Sequence, residues 1–152
     1  MDEAFKKKLS RLEAQCVKRE YCVRDIMAKA LKAVEGNQAE ADEIVASLRA
    51  DKFVDDARYA AAFAREKSSL TGWGPVKIRF ALRAKGLSET DIASGLAEID
   101  SSRAEDRLER LTAAKWKSLQ DDPQGKLKLI KFALSRGYDY DAVQAAISKL
   151  DI

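Results

Sequence analysis

Phe53-Val54-Asp55-Asp56-Ala57-Arg58-Tyr59-Ala60 is followed by Gly72-Trp73-Gly74-Pro75, by Ala81-Leu82-Arg83-Ala84-Lys85-Gly86-Leu87-Ser88, and then by Ile92 and Leu96. The second half of this stretch returns near the C-terminus. Phe80-Ala81-Leu82, Gly86, Ile92 and Leu96 become Phe132-Ala133-Leu134, Gly137, Val143 and Ile147, at an offset of 52 residues before the glycine and 51 after it. A fixed period is one supersecondary unit copied in tandem, so the chain reads as a repeat protein.

The units read as helical. Asp55 accepts from the free amides of a helix start, with Val54 and Tyr59 placed as a hydrophobic staple. Tyr59 and Phe63 face inward, and Ala57, Ala60, Ala61 and Ala64 permit close helix approach. Residues 68–74 read as a loop. Pro75 opens the next helix, where a missing N–H costs little, and Gly86 ends it. Ser88 and Asp91 cap a third helix with Ile92, Leu96 and Ile99 on its face.

The same logic runs outward. Phe5, Leu9, Leu12 and Cys16 share one helical face, Val23, Ile26, Met27 and Ala30 begin a second helix that stops near Gly36, and Ala41, Ile44, Val45 and Leu48 line a third behind Asn37 and Glu40. Downstream, Ser102 and Glu105 read as a capping box ahead of Ala104, Leu108, Leu111, Trp116 and Leu119. Asp122-Pro123 opens the next helix, Gly137 closes it and Asp139 caps the last. Trp116 and Phe132 are expected in the core. Val76 and Phe80 point away from Ile78, Ala81 and Leu82, which predicts a helix buried on two sides, as repeats that stack on neighbours produce; Ile130 and Phe132 repeat the pattern. The expected fold is all-α: three tandem three-helix repeats over residues 4–50, 51–100 and 101–152, stacked into an elongated, curved rod.

Composition agrees. The 152 residues hold seven glycines and two prolines, scarce enough to favour helices throughout. There is no run of about 18 apolar residues and no apolar segment behind the basic N-terminus, so neither a membrane span nor a signal peptide is expected. Cys16 and Cys22 are too few for a disulfide framework and read as free thiols in a reducing cytoplasm. The chain has no histidine, which removes the commonest general base and the commonest zinc ligand. No phosphate-binding glycine loop is present. No catalytic, cofactor or metal site is expected, and the chain is not read as an enzyme.

Charge is patterned in blocks. Residues 57–88 carry seven basic side chains and one acidic, whereas residues 33–56 carry two and seven, so the net charge of +3 hides a local excess of +6. Such a field favours an anionic partner or an acidic protein groove.

Phe53 through Ala60, the Gly72/Gly74 loop, Leu82 and Lys85-Gly86 resemble the RecX family of bacterial recombinase regulators. Phe53, Asp55, Asp56, Tyr59, Gly72, Gly74, Leu82 and Gly86 carry that resemblance. Lys18-Arg19-Glu20-Tyr21 matches a similar stretch of the family, with Cys22 where members often carry Ser or Thr. The resemblance implies three three-helix units and a non-enzymatic regulator that acts in DNA repair and the SOS response. Its partner would be the RecA recombinase, mostly as a filament on single-stranded DNA. It would lie in the filament groove and hinder extension, ATPase, strand exchange and co-protease activity. A cytoplasmic monomer with weak non-specific DNA affinity is expected.

Arg79 and Arg83, one turn apart, are the leading contact candidates, with Lys77 and Lys85 on the helix flanks and Arg58, Arg65 and Lys67 completing the basic block. Lys128, Lys131 and Arg136 are the third-unit counterparts. Asp55 and Asp56 read first as a cap and a helix-dipole partner. Trp73 reads first as a lid between units, but also as a ring that stacks on a base or wedges into the partner. The competing reading is a direct DNA binder, with residues 75–99 as a helix-turn-helix. The second of those helices begins Ser88-Glu89-Thr90-Asp91 and bears Glu98, an acidic exposed side that repels phosphates.

Overall fold

The sequence supplies an acceptor at most helix starts, and the structure, a computed structural model describing residues 2–152, uses them. Nine α-helices and no strand occur among the described residues: α1 (Glu3–Lys18), α2 (Val23–Ala33), α3 (Gln38–Ala50), α4 (Asp56–Glu66), α5 (Pro75–Ala84), α6 (Glu89–Leu96), α7 (Ser101–Leu119), α8 (Gly125–Ser135) and α9 (Tyr140–Ser148). Side chains of Asn37, Asp55, Ser88 and Asp139 accept from the first-turn amides of α3, α4, α6 and α9.

Two starts differ from the sequence reading. Asp100, not Ser102, caps α7 by accepting from Arg103 N at 3.2 Å. Asp122 folds onto the Gln124 amide at 2.8 Å, which makes 122–124 a turn and delays α8 to Gly125. The expected loop at 68–74 is also shorter. Residues Lys67–Thr71 continue α4 as a π turn, with the Ser69 hydroxyl donating to Arg65 O at 2.6 Å.

Three separate cores form. Phe5, Leu12, Ile26, Ile44 and Leu48 centre the first; Tyr59, Ile78, Leu82 and Ile92 the second; Leu108, Leu129, Val143 and Ile147 the third. Helices pack along one another within a unit and not between units. In the second unit α4 meets α6 closely, because a Cβ on Gly95 would stand 2.6 Å from the Ala60 Cβ. The accessible surface is 9358 Å², against roughly 7,700 Å² for a compact protein of 16.9 kDa. The molecule is elongated.

Chain segments cross unit borders. Cys22 belongs to the second core and Val54 to the first, so Val54 and Tyr59 serve different cores and do not staple together.

The helix register is corrected as well. Ile78 and Leu82 are fully buried in α5, and the fully buried residues of α8 are Leu129 and Ala133. The period is therefore 51 throughout, set by the helix-ending Gly86 and Gly137, and Leu134, 39% exposed, is not the partner of Leu82. Phe132 accordingly leaves the core and lies half-buried under Lys115 and Arg136, while Thr112 is buried instead, its hydroxyl donating to Leu108 O at 2.9 Å. Val76 and Phe80 are 44% and 75% exposed. No neighbouring unit covers them, because the units meet at helix ends and not along helix sides.

Candidate functional site

The middle helices α2 and α5 lack a side-chain cap of their own; the adjacent unit supplies α2 with a side-chain acceptor and α5 with backbone carbonyls. At the junction of the second and third units, Gly74 N donates to Arg136 O at 2.7 Å and Val76 N to Gly137 O at 2.8 Å. The carbonyl end of α8 thus satisfies free amides at the start of α5, pairing the negative end of one helix dipole with the positive end of the next. The approach requires glycine: a Cβ on Gly74 would stand 2.6 Å from Tyr138 N, and Gly137 has φ +95. The Tyr138 hydroxyl donates to Gly72 O at 3.2 Å, and Arg107 Nη1 to Ser68 Oγ at 2.9 Å. These are the roles of the Gly72/Gly74 motif.

At the junction of the first and second units, Asp56 Oδ1 accepts from Val23 N at 2.8 Å and so caps α2. Asp55 caps its own helix. At the other end of α5, the Arg24 guanidinium donates to Ala84 O at 2.5 Å, and Lys85 Nζ lies 2.8 Å from Asp25 Oδ2. The middle helices therefore run end to end, α8 to α5 to α2, against the order of the sequence.

This frame absorbs part of the predicted cationic set. Arg58 Nε donates to Glu20 Oε2 at 2.6 Å, and its two terminal nitrogens donate to the carbonyls of Lys52 and Phe53 at 2.9 and 3.2 Å. Glu20 raises the Arg58 pKa through that bond, while its own Oε1 is buried with no hydrogen-bond partner among the described residues. Burial alone would raise the Asp25 carboxyl, but the bond and charge of Lys85 hold it below the usual range; Lys85 is raised in return. Arg58 and Lys85, both expected as contact residues, clamp the junction of the first and second units.

Other candidates lie on the surface with partial engagements. Arg83 forks onto Glu89 with bonds of 2.7 and 3.1 Å. Arg65 stands 3.8 Å from Glu98, and Lys128 2.5 Å from Asp122. Exposed pairs of this kind hold their partners weakly. Lys67 and Lys77 sit 4.9 and 4.5 Å from the Trp73 ring centroid, and the ring meets Phe63 edge-on at the margin of the second core. Trp73 is a half-buried ring packed at the edge of the second core with two lysines beside it. Arg136 lies over Phe132. Arg79 and Lys131 make no ion pair or side-chain hydrogen bond among the described residues.

Among the described residues no group of three or more Cys, Asp or Glu is placed to hold a metal, and no helix is long and apolar enough to cross a membrane. Cys16 and Cys22 are free, buried thiols, their pKa values pushed up by burial. The class these features define is an all-helical repeat protein that presents helix faces from stacked three-helix units.

Comparison with known proteins gives the family. Residues 55–96 match the family description "RecX, second three-helix domain", and residues 104–147 match "RecX, third three-helix domain". The chain is 31% identical over 122 residues to the regulatory protein RecX of Bacillus mycoides (strain KBAB4), covering 79% of this chain and 45% of that one. It is 29% identical over 113 residues to the regulatory protein RecX of Clostridium tetani (strain Massachusetts / E88), covering 72% and 51%. The chain thus spans about half the length of the curated relatives it matches. Its fold is like that of a crystal structure of RecX from Lactobacillus salivarius (TM-score 0.88, 18% identity, 99% of each chain). A crystal structure of a regulatory protein RecX gives a TM-score of 0.85 at 22% identity, over 97% of this chain and 73% of that one. The chain belongs to the RecX family.

Proposed function

We propose that this chain is a regulator of the RecA recombinase. It binds the RecA filament on single-stranded DNA, hinders its extension and suppresses its ATPase, strand-exchange and co-protease activities. DNA repair, recombination and the SOS response are tuned as a result. It acts as a cytoplasmic monomer with no cofactor and no chemistry of its own. An elongated stack touches several protomers at once, so weak contacts add through effective concentration. It changes the filament by preferring one protomer arrangement, to the extent of its differential affinity.

The observation that carries the site is Arg79. It stands half-buried on the flank of α5 and makes no ion pair or side-chain hydrogen bond among the described residues, its charge reaching Glu89 only at longer range, in a unit whose other cations are largely engaged. Arg83, in an exposed pair, and Lys131, which has no ion pair among the described residues, extend the surface. The exposed carboxylates of α6 and of the turn that follows it, Glu89 and Glu98, support a protein partner over duplex DNA.

The test is a titration of the chain into the cognate recombinase's DNA-dependent ATPase. Inhibition is expected well below one regulator per protomer. Arg79→Glu with Arg83→Glu is expected to abolish it while the helical circular dichroism stays intact. Full inhibition by the double variant would remove the site; no inhibition by the wild-type chain would remove the function.

A further inference from the structure

Helix α5 carries a second kind of residue on its free side. At 100° per residue, Phe80 points directly away from the buried Ile78 and Leu82, with Val76 and Arg83 beside it and Arg79 on the flank. Phe80 is 75% exposed and Val76 44%. A single exposed apolar residue is ordinary. Here the exposure recurs. With the period of 51, α8 presents Leu127 (48% exposed) where α5 has Val76, and Leu134 where α5 has Arg83. The end of α8 abuts the start of α5, and each of these two helices shows a mixed apolar and cationic outer face.

We infer that the outer face of α5 is a protein-docking site that takes an acidic, amphipathic surface segment of the recombinase protomer. An apolar side chain of that segment packs on Val76 and Phe80, and its carboxylates meet Arg79 and Arg83. The inference rests on the functional reading above and adds to it an apolar anchor that the charges do not provide. Two observations name the occupant. Arg83 already holds a carboxylate, that of Glu89, in a two-point fork, which displays the geometry an incoming carboxylate adopts. An exposed aromatic side chain with two arginines on one side of it is also the composition of energetic centres in protein–protein interfaces. Phosphates gain nothing from a valine and a phenylalanine on the same face.

The test uses the full chain with Phe80→p-benzoylphenylalanine, irradiated with the cognate recombinase assembled on labelled single-stranded DNA. A covalent adduct to the recombinase, mapping to a carboxylate-rich segment, is expected. An adduct to the DNA, or none to the recombinase, overturns the inference. In parallel, Phe80→Ala is expected to raise the half-inhibitory concentration about tenfold or more, the scale of truncating an interfacial aromatic. Its melting temperature should equal that of the wild type, because the ring is exposed. Phe80→Leu, which keeps an apolar contact, should recover most of the loss. Equal inhibition by Phe80→Ala and by a wild-type chain that does inhibit overturns the docking face alone. A wild-type chain that does not inhibit overturns the functional reading beneath it.

Discussion

Gly74→Ala tests whether the units are joined through borrowed backbone caps. Gly74 has φ −80, which any residue adopts, so the substitution adds no backbone strain. It adds one methyl group, 2.6 Å from Tyr138 N, where ordinary contact begins at 3.4 Å. The start of α5 must then move about 0.8 Å or more from the end of α8. That motion lengthens two hydrogen bonds, Gly74 N to Arg136 O and Val76 N to Gly137 O, now 2.7 and 2.8 Å, beyond useful range. At about 0.5–1.5 kcal/mol each, the loss is roughly 1–3 kcal/mol, concentrated at the junction. In a stack whose units touch at their ends, weaker coupling also makes neighbours unfold separately. Urea unfolding should show a lower midpoint and a broader transition. Trp73 in the second unit and Trp116 in the third, each followed in a single-tryptophan variant, should report different midpoints. Amide exchange at Val76 should accelerate. Gly36→Ala is the control, since nothing lies within 4 Å there and only the strain of φ +87 is added. A Gly74→Ala variant within about 0.5 kcal/mol of wild type, with Val76 equally protected, would refute the reasoning.

Further outcomes follow from the same geometry. Leu82→Ala should cost about 2–5 kcal/mol in urea unfolding, whereas Leu134→Ala, its counterpart at an offset of 52, should cost clearly less because that side chain is 39% exposed; equal costs would restore the offset of 52. Asp56→Ala should destabilise by about 1 kcal/mol and speed exchange of the Val23 amide, although the two residues are in different units. The Asp25 carboxyl is depressed in the folded chain, so its pair with Lys85 contributes fully above the unfolded carboxyl value of about 4 and is lost as pH falls through the lower folded value. Acid titration of stability should therefore be flatter for Asp25→Asn, by less than about 1 kcal/mol given the exposure of the pair.

The helices, most of their caps and the tandem repeat were legible because each depends on residues a few positions apart. Asp55 and Ser88 cap three residues ahead, and Gly86 and Gly137 end helices by conformation alone. The cap of α7 slipped because Asp100, Ser101 and Ser102 are all competent acceptors, and packing chose among them. The offset of 52 failed because a chance Phe-Ala-Leu match outweighed the register set by the glycines. Val76 and Phe80 were expected in a unit-to-unit contact, since apolarity predicts burial; the signal that marks them as surface is that they lie opposite the stripe ending at the helix-stop glycine.

By itself the sequence determined an all-helical repeat with a cationic second unit. Local hydrogen bonding and helical periodicity act within about four residues, and the charge block is contiguous. Tertiary structure alone decided which cations are free. Arg58 finds Glu20, Lys85 finds Asp25, and the Val23 amide finds Asp56, across separations of 38, 60 and 33 residues. No spacing rule in the sequence reaches that far, because such pairs exist only after the first and second units have packed against each other. The end-to-end meeting of the middle helices leaves the outer side of α5 uncovered.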